Sequence, residues 1–410
     1  KGNKIYISGG EQSLTENIVH MVLAKVKGAP AGVKGISLFI VPKFIVDEEG
    51  NATERNGVNL AGLIHKLGYR GTTSTALSFG DDAPCHGYLV GEPHQGLKYM
   101  FQMMNEARVG VGFGAAVIGY RGYMHSLEYA KDRLQGRKPS EKNPEAPQVP
   151  IIEHADVRRM LLAQKAYSEG GLALCLYGAR LMDDQHTHPD EQKRMEAGKL
   201  LDLLTPVIKA WPSEFGPKAN DLAIQVYGGA GYTREYPVEQ CWRDNRLNPI
   251  HEGTNGIQAL DLLGRKIWQD QSHGLQLLMQ EMQVDLQAAT TDRCQQWALS
   301  LSETLQQAVK VTQSLGKSLM SEDPDRVLAN ASCYLHLFGH IIVSWMWLRQ
   351  ANAAAKALGS ANSDEERNFY QGKLQAAQYF FHWELPTVAQ DLVLLRNQDD
   401  TCMNMKSEWF

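Results

Sequence analysis

Residues 1–90 contain short runs of β-branched and aromatic side chains, in which hydrophobic and polar positions alternate. Turn-forming sequences such as Gly28-Ala29-Pro30 and Asp81-Asp82-Ala83-Pro84 separate these runs. Because no helical period intervenes, the pattern predicts an antiparallel β-section folded as a barrel or a sandwich. The predicted strands are Lys4–Ser8, Ile18–Val26, Ile36–Val41, Thr75–Phe79 and His86–Val90.

From residue 97 onward, the spacing of hydrophobic positions follows the period of a helix. The first helix, Leu97–Leu134, carries small residues that predict a tightly packed face: Gly110, Gly112, Gly114, Ala115 and Ala116. The prolines of Arg137–Pro150 predict a loop. Further helices are predicted at Asp156–Met182, Asp190–Trp211, Lys218–Tyr227 and Ile257–Trp268.

The remainder of the chain, from Ser272, is helical in pattern and rich in Gln, Ala and Leu, with breaks near Ser321-Glu322-Asp323-Pro324 and Gly359–Asp364. Its tail, Thr401–Phe410, is predicted to be irregular and to lie on the surface. The whole pattern therefore predicts an α+β protein. A β-section at 1–92 is followed by a helical section at 93–270 and an additional helical bundle at 271–410.

The composition indicates an ordinary soluble protein. The 410 residues are 43% hydrophobic and 21% charged, and about 150 residues per domain predicts two or three domains. The formal net charge of −5 and the absence of a sustained basic stretch argue against nucleic acid as a partner. The cysteines are scattered without a CxxC pair, which predicts free thiols in a reducing compartment and no metal site.

The segment Tyr334–Leu348 is apolar except for His336, His340 and Ser344. Its length of about 15 residues falls short of the roughly 20 that a membrane span needs. We therefore expect a buried helix or a subunit interface and no integral membrane span. A peripheral membrane contact is the alternative.

The stretch His251–Gln258 contains the most informative chemistry. One carboxylate, Glu252, precedes a Gly-Thr-x-Gly turn between two apolar, helix-like segments. A base with free backbone N–H groups beside it is what proton removal next to a carbonyl needs. A carboxylate favoured by a helix N-terminus is the plainer alternative. A zinc-protease motif is excluded, because it would need His at Asn255.

Together with Gln225–Tyr232, this stretch resembles the acyl-CoA dehydrogenase family, and the resemblance covers residues 1 to about 270 in the family's order. In that family, the Glu of a Glu-Gly-Thr sequence removes the α-proton of an acyl thioester, and the β-hydride passes to flavin N5. The resemblance implies that Glu252 is this base. It also implies cofactor contacts by Thr254 and Gly256 and a substrate contact by His251. His251 stands where many relatives have Tyr, and Gly256 where some have Gln.

Other residues match the family's flavin site. Arg133 resembles an arginine that reaches the FAD pyrophosphate of the partner subunit, with Arg137 as an alternative. Gln225, Gly228 and Gly229 resemble a segment that contacts the adenosine side of FAD in the neighbouring subunit. The remaining cofactor candidates implied by the resemblance are His154 and the strand residues Tyr6, Ile7 and Ser8, which would lie beside the isoalloxazine ring.

The resemblance also implies substrate contacts. Asn105 and Arg108 align with a segment that lines the acyl-CoA site, and Thr72 lies in a loop that reaches the substrate side. A buried ion pair that orients the helix is the alternative role for Arg108. Some relatives carry their catalytic Glu at the position of Ala107, so the alternative base is missing here. Glu106 is adjacent, but its side chain points roughly 100° away on a helix.

As a whole, the resemblance implies an FAD enzyme of fatty-acid β-oxidation in the bacterial cytosol. It would convert an acyl-CoA to a trans-2-enoyl-CoA and pass electrons to an electron-transfer flavoprotein. We expect a homodimer or homotetramer with a shared FAD site. An oxidase using O₂ and a catalytically silent binding subunit are the alternatives.

The resemblance further implies a middle β-domain, a four-helix bundle and an extra C-terminal helical bundle. The extra bundle is typical of the larger bacterial subgroup that includes 3-(methylthio)propanoyl-CoA dehydrogenases. Because the sequence opens without Met in a strand-like run, we expect the family's N-terminal helical domain to be absent from it.

Overall fold

The computed structural model describes the whole chain, Lys1–Phe410, except for the side chain of Gln102. The chain divides into two compact units, Lys1–Ala107 and Arg108–Phe410. The first unit is mainly β-structure and the second is helical, as the sequence pattern predicts. All six cysteines are free thiols, as expected.

The strands of the first unit form small antiparallel sheets, with the orders β1-β7-β6, β2-β3-β8 and β4-β5. Their bounds are β1 Gly2–Ser8, β2 Val19–Lys25, β3 Ile36–Pro42, β4 Phe44–Val46, β5 Ala52–Arg55, β6 Val58–Leu63, β7 Ser74–Phe79 and β8 Tyr88–Val90. Val41 of β3 shares one hydrophobic cluster with Val58 and Leu77 of the β1-β7-β6 sheet. The two larger sheets therefore pack face to face. The sequence pattern missed β4, β5 and β6, which are very short, exposed or interrupted by a bulge.

The helices are α1 Gly96–Asp132, α2 Ala155–Thr187, α3 Glu191–Tyr227, α4 Val238–Asn245, α5 Asn255–Gly264, α6 His273–Gln287, α7 Asp292–Ser321, α8 Pro324–Leu328, α9 Ala331–Leu358, α10 Asp364–Tyr379 and α11 Ala389–Asn397. Short 3₁₀ segments lie at Gly32–Gly35, Ile151–Glu153, Gly228–Tyr232, Lys266–Ser272, Leu385–Val388 and Ser407–Trp409, and a π segment lies at Phe380–Glu384. The α+β class is confirmed.

Helix α3 corrects the sequence prediction, because it continues through Pro206, Pro212 and Pro217. A break after Trp211 was expected, since proline removes a backbone donor inside a helix. At Pro212, the Ile208 carbonyl loses its helical donor, and this carbonyl lies against the bare backbone of Gly112 in α1. The predicted helix Ile257–Trp268 also ends earlier, at Gly264, and left-handed residues such as Asp270 and Gln271 follow it.

Glycines let α1 and α3 approach each other closely. A Cβ on Gly112 would lie 1.9 Å from the Ile208 oxygen, and a Cβ on Gly216 would lie 2.5 Å from the Ala115 oxygen. Both distances are far below a van der Waals contact. The predicted small-residue face is therefore present, but Gly110 and Gly114 do not belong to it, because a Cβ on either has no atom within 4 Å.

Helix α9 contains the apolar segment Tyr334–Leu348. Its length and composition would suit a membrane span, but 83% of its most apolar 18-residue stretch is buried inside the protein. The indole of Trp347 donates to Ala166 O at 3.1 Å, and that of Trp345 donates to Asp285 Oδ2 at 2.7 Å. These contacts are those of a core helix, which agrees with the predicted buried helix.

Candidate active site

The loop between α4 and α5 carries Glu252, and backbone hydrogen bonds hold its shape. Asn255 N donates to Pro249 O at 3.0 Å, and His251 N donates to Leu247 O at 3.2 Å. Thr254 begins α5 as its N-cap, because its hydroxyl accepts from the Ile257 N–H at 3.3 Å. A capping role of this kind stabilises the helix start by about 1 kcal/mol.

Glu252 itself has a left-handed backbone with a φ of 52°, followed by Gly253 at 84°. A non-glycine residue in this region costs roughly 1–2 kcal/mol, and such strain is concentrated at functional sites. The buried Gln258 side chain holds the turn by donating to Glu252 O at 3.2 Å and to Gly253 O at 3.4 Å. The Glu252 side chain is exposed. The carboxylate is therefore presented outward from a backbone that the protein holds in place.

A directional chain of hydrogen bonds anchors the residue before Glu252. His251 Nε2 donates to Asn248 Oδ1 at 3.1 Å, and Asn248 Nδ2 donates to Asn245 Oδ1 at 2.7 Å. Asn245 Nδ2 then donates to Asn220 Oδ1 at 2.7 Å and to Ala115 O at 3.0 Å. Burial lowers the pKa of His251, so the imidazole is neutral at pH 7, although the Glu252 charge opposes this. These hydrogen bonds link the loop that carries Glu252 to α4, α3 and α1.

The central member of this chain, Asn245, provides a direct test. Asn245→Asp places a carboxylate oxygen against two acceptors, Ala115 O and Asn220 Oδ1, in a fully buried position. We expect the free energy of unfolding to fall by about 3 kcal/mol at pH 7, measured by urea denaturation. Asn143→Asp is the matched control, because Asn143 is exposed and its oxygen only accepts a hydrogen bond. If the two variants lost equal amounts of unfolding free energy, the stabilising role of the hydrogen bonds through Asn245 would be contradicted.

Lys209 of α3 is a further residue near Glu252, and the sequence analysis missed it. Its side chain is 0% exposed, and Nζ donates to Asn255 Oδ1 at 3.2 Å. Burial lowers the pKa of Lys209 from 10.5 to about 8, Arg108 adds to the lowering, and Glu252 opposes it. Such a shift means that the buried charge costs about 3 kcal/mol of stability. In the sequence, the only indication of this buried lysine is its position as the single charged residue of the apolar run Val207–Trp211.

Arg108 is buried near the start of the second unit. Its Nη1 lies 3.6 Å from Asp261 Oδ2 of α5, so the alternative of a buried ion pair is confirmed. Among the residues that the structure describes, none accepts a hydrogen bond from Arg108 Nε. Asn105 lies one turn earlier on α1 and is half-buried. A substrate contact by either residue stays a prediction.

The flavin-site candidates of the second unit lie in two segments that the structure brings together. Arg133 follows α1 and is exposed, while Gln225 and Gly228 lie at the end of α3. The ring of Tyr129, one turn before Arg133, stacks on that of Tyr227 at 4.1 Å, which joins the two segments. Gly228 has a φ of 60°, and a Cβ on Gly228 or Gly229 would have no atom within 4 Å. The backbone atoms of Gly228 and Gly229 are therefore unobstructed by neighbouring side chains.

Arg137, the alternative to Arg133, and the nearby His154 both form polar contacts with the loop after α1. Arg137 donates through Nη2 to Pro144 O at 2.6 Å and through Nε to Ala146 O. These contacts hold Arg137 within its own loop, which favours Arg133 as the phosphate ligand. The His154 ring nitrogen Nε2 lies 2.8 Å from Gln135 O, so its imidazole also supports this loop.

The first unit holds the remaining candidates. Tyr6 is 71% exposed with a φ of 62°, at a bulge in the pairing of β1 with β7. Ile7 packs into the β-core, while Tyr6 and Ser8 on either side of it are exposed; Ile5 is exposed too, so the bulge interrupts the predicted alternation. Thr72 is exposed in a turn in which its N–H donates to Tyr69 O at 3.2 Å. An aromatic ring and a hydroxyl are therefore both exposed on β1.

Comparison with known proteins gives matches over most of the chain. The family model "Acyl-CoA dehydrogenase, C-terminal domain" matches residues 94–268, and "Acetyl-CoA dehydrogenase C-terminal like" matches residues 278–406. The chain is 37% identical to 3-methylmercaptopropionyl-CoA dehydrogenase of Ruegeria pomeroyi, over 92% of this chain and 63% of the relative. It is 35% identical to the broad-specificity linear acyl-CoA dehydrogenase FadE5 of Mycobacterium tuberculosis, over 100% of this chain and 69% of the relative.

The fold is also similar to that of a solved structure, an acyl-CoA dehydrogenase from Bacillus anthracis complexed with FAD. The TM-score is 0.73 at 20% identity, and the match covers 98% of this chain and 64% of that chain. This chain thus spans roughly two thirds of the length of the proteins that it matches.

Proposed function

Because the chain belongs to the acyl-CoA dehydrogenase family, we propose that the protein oxidises an acyl-CoA thioester to a trans-2-enoyl-CoA with FAD as cofactor. In this proposal Glu252 removes the α-proton, and an electron-transfer flavoprotein receives the electrons. The single observation that supports it most strongly is the Glu252 turn. An exposed carboxylate lies on a left-handed backbone. Gln258 and the hydrogen bonds that run from His251 through Asn248 and Asn245 hold this backbone in place.

The geometry of this turn suits proton removal. A base is effective when its carboxylate is held at one position relative to the proton it accepts. The rigid loop fixes the Glu252 backbone, and the exposed side chain leaves its carboxylate accessible to a substrate. His251, Asn105, Arg108 and Thr72 remain the proposed substrate contacts. The Arg108–Asp261 pair also joins α1 to the last turn of α5, the helix that follows the Glu252 turn.

The residues proposed to hold FAD fit that group. Arg133 offers an exposed guanidinium, and Gly228 and Gly229 offer open backbone, which together suit a pyrophosphate and a ribose. When bound, FAD supplies a two-electron acceptor for the β-hydride. Tyr6, Ile7 and Ser8 are proposed to contact its ring system, and Gln225 its adenosine side. Thr254, Gly256 and His154 complete the proposed set, although Thr254 and His154 also have structural roles.

The proposal is tested by mixing the flavin-loaded protein with acyl-CoA thioesters of increasing chain length without oxygen. We expect loss of the oxidised flavin absorbance and appearance of the enoyl-CoA in equal amount. Rapid oxygen uptake in air would indicate an oxidase instead. An unchanged flavin spectrum with every thioester would indicate a silent binding subunit.

The flavin site makes a separate prediction at Arg133. Arg133→Met removes a charge-assisted phosphate contact, so we expect FAD affinity to fall roughly 10- to 100-fold. Titration of the flavin-free protein with FAD measures this. Arg137→Met is the matched control, because Arg137 is engaged by carbonyls of its own loop. If Arg137→Met weakens FAD binding and Arg133→Met does not, the assignment of the phosphate ligand is wrong.

A further inference from the structure

Lys209 ties the Glu252 turn to helix α3. Its fully buried ammonium donates to Asn255 Oδ1 at 3.2 Å, three residues beyond Glu252. Asn255 Nδ2 donates back to α3 at Ala210 O, at 3.4 Å. The first residue of α5 therefore receives one hydrogen bond from α3 and returns another. This pair of bonds fixes the end of the turn that begins at Glu252.

The charged groups that interact with Lys209 come from two other elements. Arg108 of α1 lowers the pKa of Lys209, Glu252 of the loop raises it, and Lys209 in turn lowers the pKa of His251. Arg108 is itself paired with Asp261, and burial keeps His251 neutral at pH 7. Glu252 is thus the anion whose charge raises the pKa of Lys209, against the lowering by burial and by Arg108.

We propose that Lys209 is a positioning residue for Glu252, holding the end of its turn through Asn255 while its positive charge acts on the Glu252 carboxylate. The inference rests on the proposed role of Glu252 as the base. A buried lysine without a carboxylate in direct contact lowers stability, and groups retained at such a cost are typical of functional sites. Removing Lys209 should therefore weaken catalysis without weakening the fold.

The test compares wild type with Lys209→Met and Lys209→Gln, each as the flavin-loaded full chain. The rate of flavin reduction is measured from pH 6 to about 10 with the acyl-CoA that reduces the wild type fastest. The wild-type rate should fall as pH rises through about 8, where Lys209 loses its proton. Below that pH both variants should be about 10- to 100-fold slower, and neither should show the fall near pH 8.

Thermal unfolding gives a readout that does not depend on activity. Lys209 binds its proton less tightly in the folded protein than in the unfolded chain, so wild type gains stability as pH rises from about 8 toward 10. At pH 7 the unfolding temperature of Lys209→Met should equal or exceed that of wild type, and any excess should shrink toward pH 10. Lys266→Met is the control. It removes another buried lysine, which is paired with Asp202, and should keep the wild-type pH profile.

Two results would overturn the inference. One is a Lys209→Met protein with the wild-type rate and pH profile. The other is a slower variant with an unchanged pH profile and a lower unfolding temperature, which indicates a structural role only. Glu252→Gln in the same assay separates the two proposals. If Glu252→Gln is inactive while both Lys209 variants behave as wild type, only the Lys209 inference fails.

Discussion

The Glu252→Gln variant is expected to bind FAD normally and to lose acyl-CoA turnover by on the order of 10⁴-fold. A carboxamide has nearly the same size as the carboxylate but cannot accept the α-proton. The side chain is exposed, and the turn is held by backbone atoms and by Gln258, so the change should leave the loop folded. Chromatographic measurement of the enoyl-CoA product, with flavin content measured in parallel, tests this expectation.

Glu106→Gln is the matched control for that variant. Glu106 is an exposed glutamate next to Ala107, the position at which some relatives carry their base. It should keep turnover within about twofold of wild type, because its side chain is exposed and points roughly 100° away from position 107 on the helix. Equal loss in both variants would show that the effect does not depend on the position of the charge. Normal turnover by Glu252→Gln would remove Glu252 as the base.

Replacing Gly112 by Ala is expected to have the largest effect on stability. The added Cβ would lie 1.9 Å from the Ile208 oxygen, and this backbone atom moves only if α1 and α3 separate. We expect the free energy of unfolding to fall by about 3 kcal/mol, measured by chemical denaturation. The separation should also disturb the hydrogen bonds through Asn245, because Asn245 donates to Ala115 O of α1, the helix that contains Gly112.

Gly110→Ala is the control in the same helix. A Cβ at Gly110 meets no atom within 4 Å, so the variant should gain up to about 1 kcal/mol from the better helix propensity of Ala. Opposite signs at two glycines that are two residues apart would show that the close approach of α1 and α3 matters. A similar loss in both variants would contradict that explanation.

The sequence predicted features that depend on local pattern. Helical periodicity located α1 and α2 within a few residues, and strand alternation located the strands around Ile7 and Leu77. The Glu-Gly-Thr turn was recognised because its residues are contiguous. The order of a β-section followed by helices also followed from pattern, because the hydrophobic period changes from that of strands to that of a helix near residue 97.

Features that depend on contacts between distant segments could not be predicted. Helix α3 continues past Pro212, and Gly112, far away in sequence, packs against the carbonyl that proline leaves without a donor. The left-handed backbones of Tyr6 and Glu252 are imposed by their surroundings, since neither residue type favours that region. The hydrogen bond from Lys209 to Asn255 depends on the packing of α5 against α3, which the local sequence around Lys209 does not indicate.

One measurement tests the role of Glu252 most directly. The flavin-loaded protein is mixed without oxygen with an acyl-CoA carrying deuterium at the α-carbon, and flavin absorbance is followed in a stopped-flow instrument. We predict that deuterium slows flavin reduction in wild type severalfold, because α-proton removal is part of the step, and that Glu252→Gln shows no reduction on this timescale. Reduction of Glu252→Gln at the wild-type rate, with the same isotope effect, would show that another residue removes the proton.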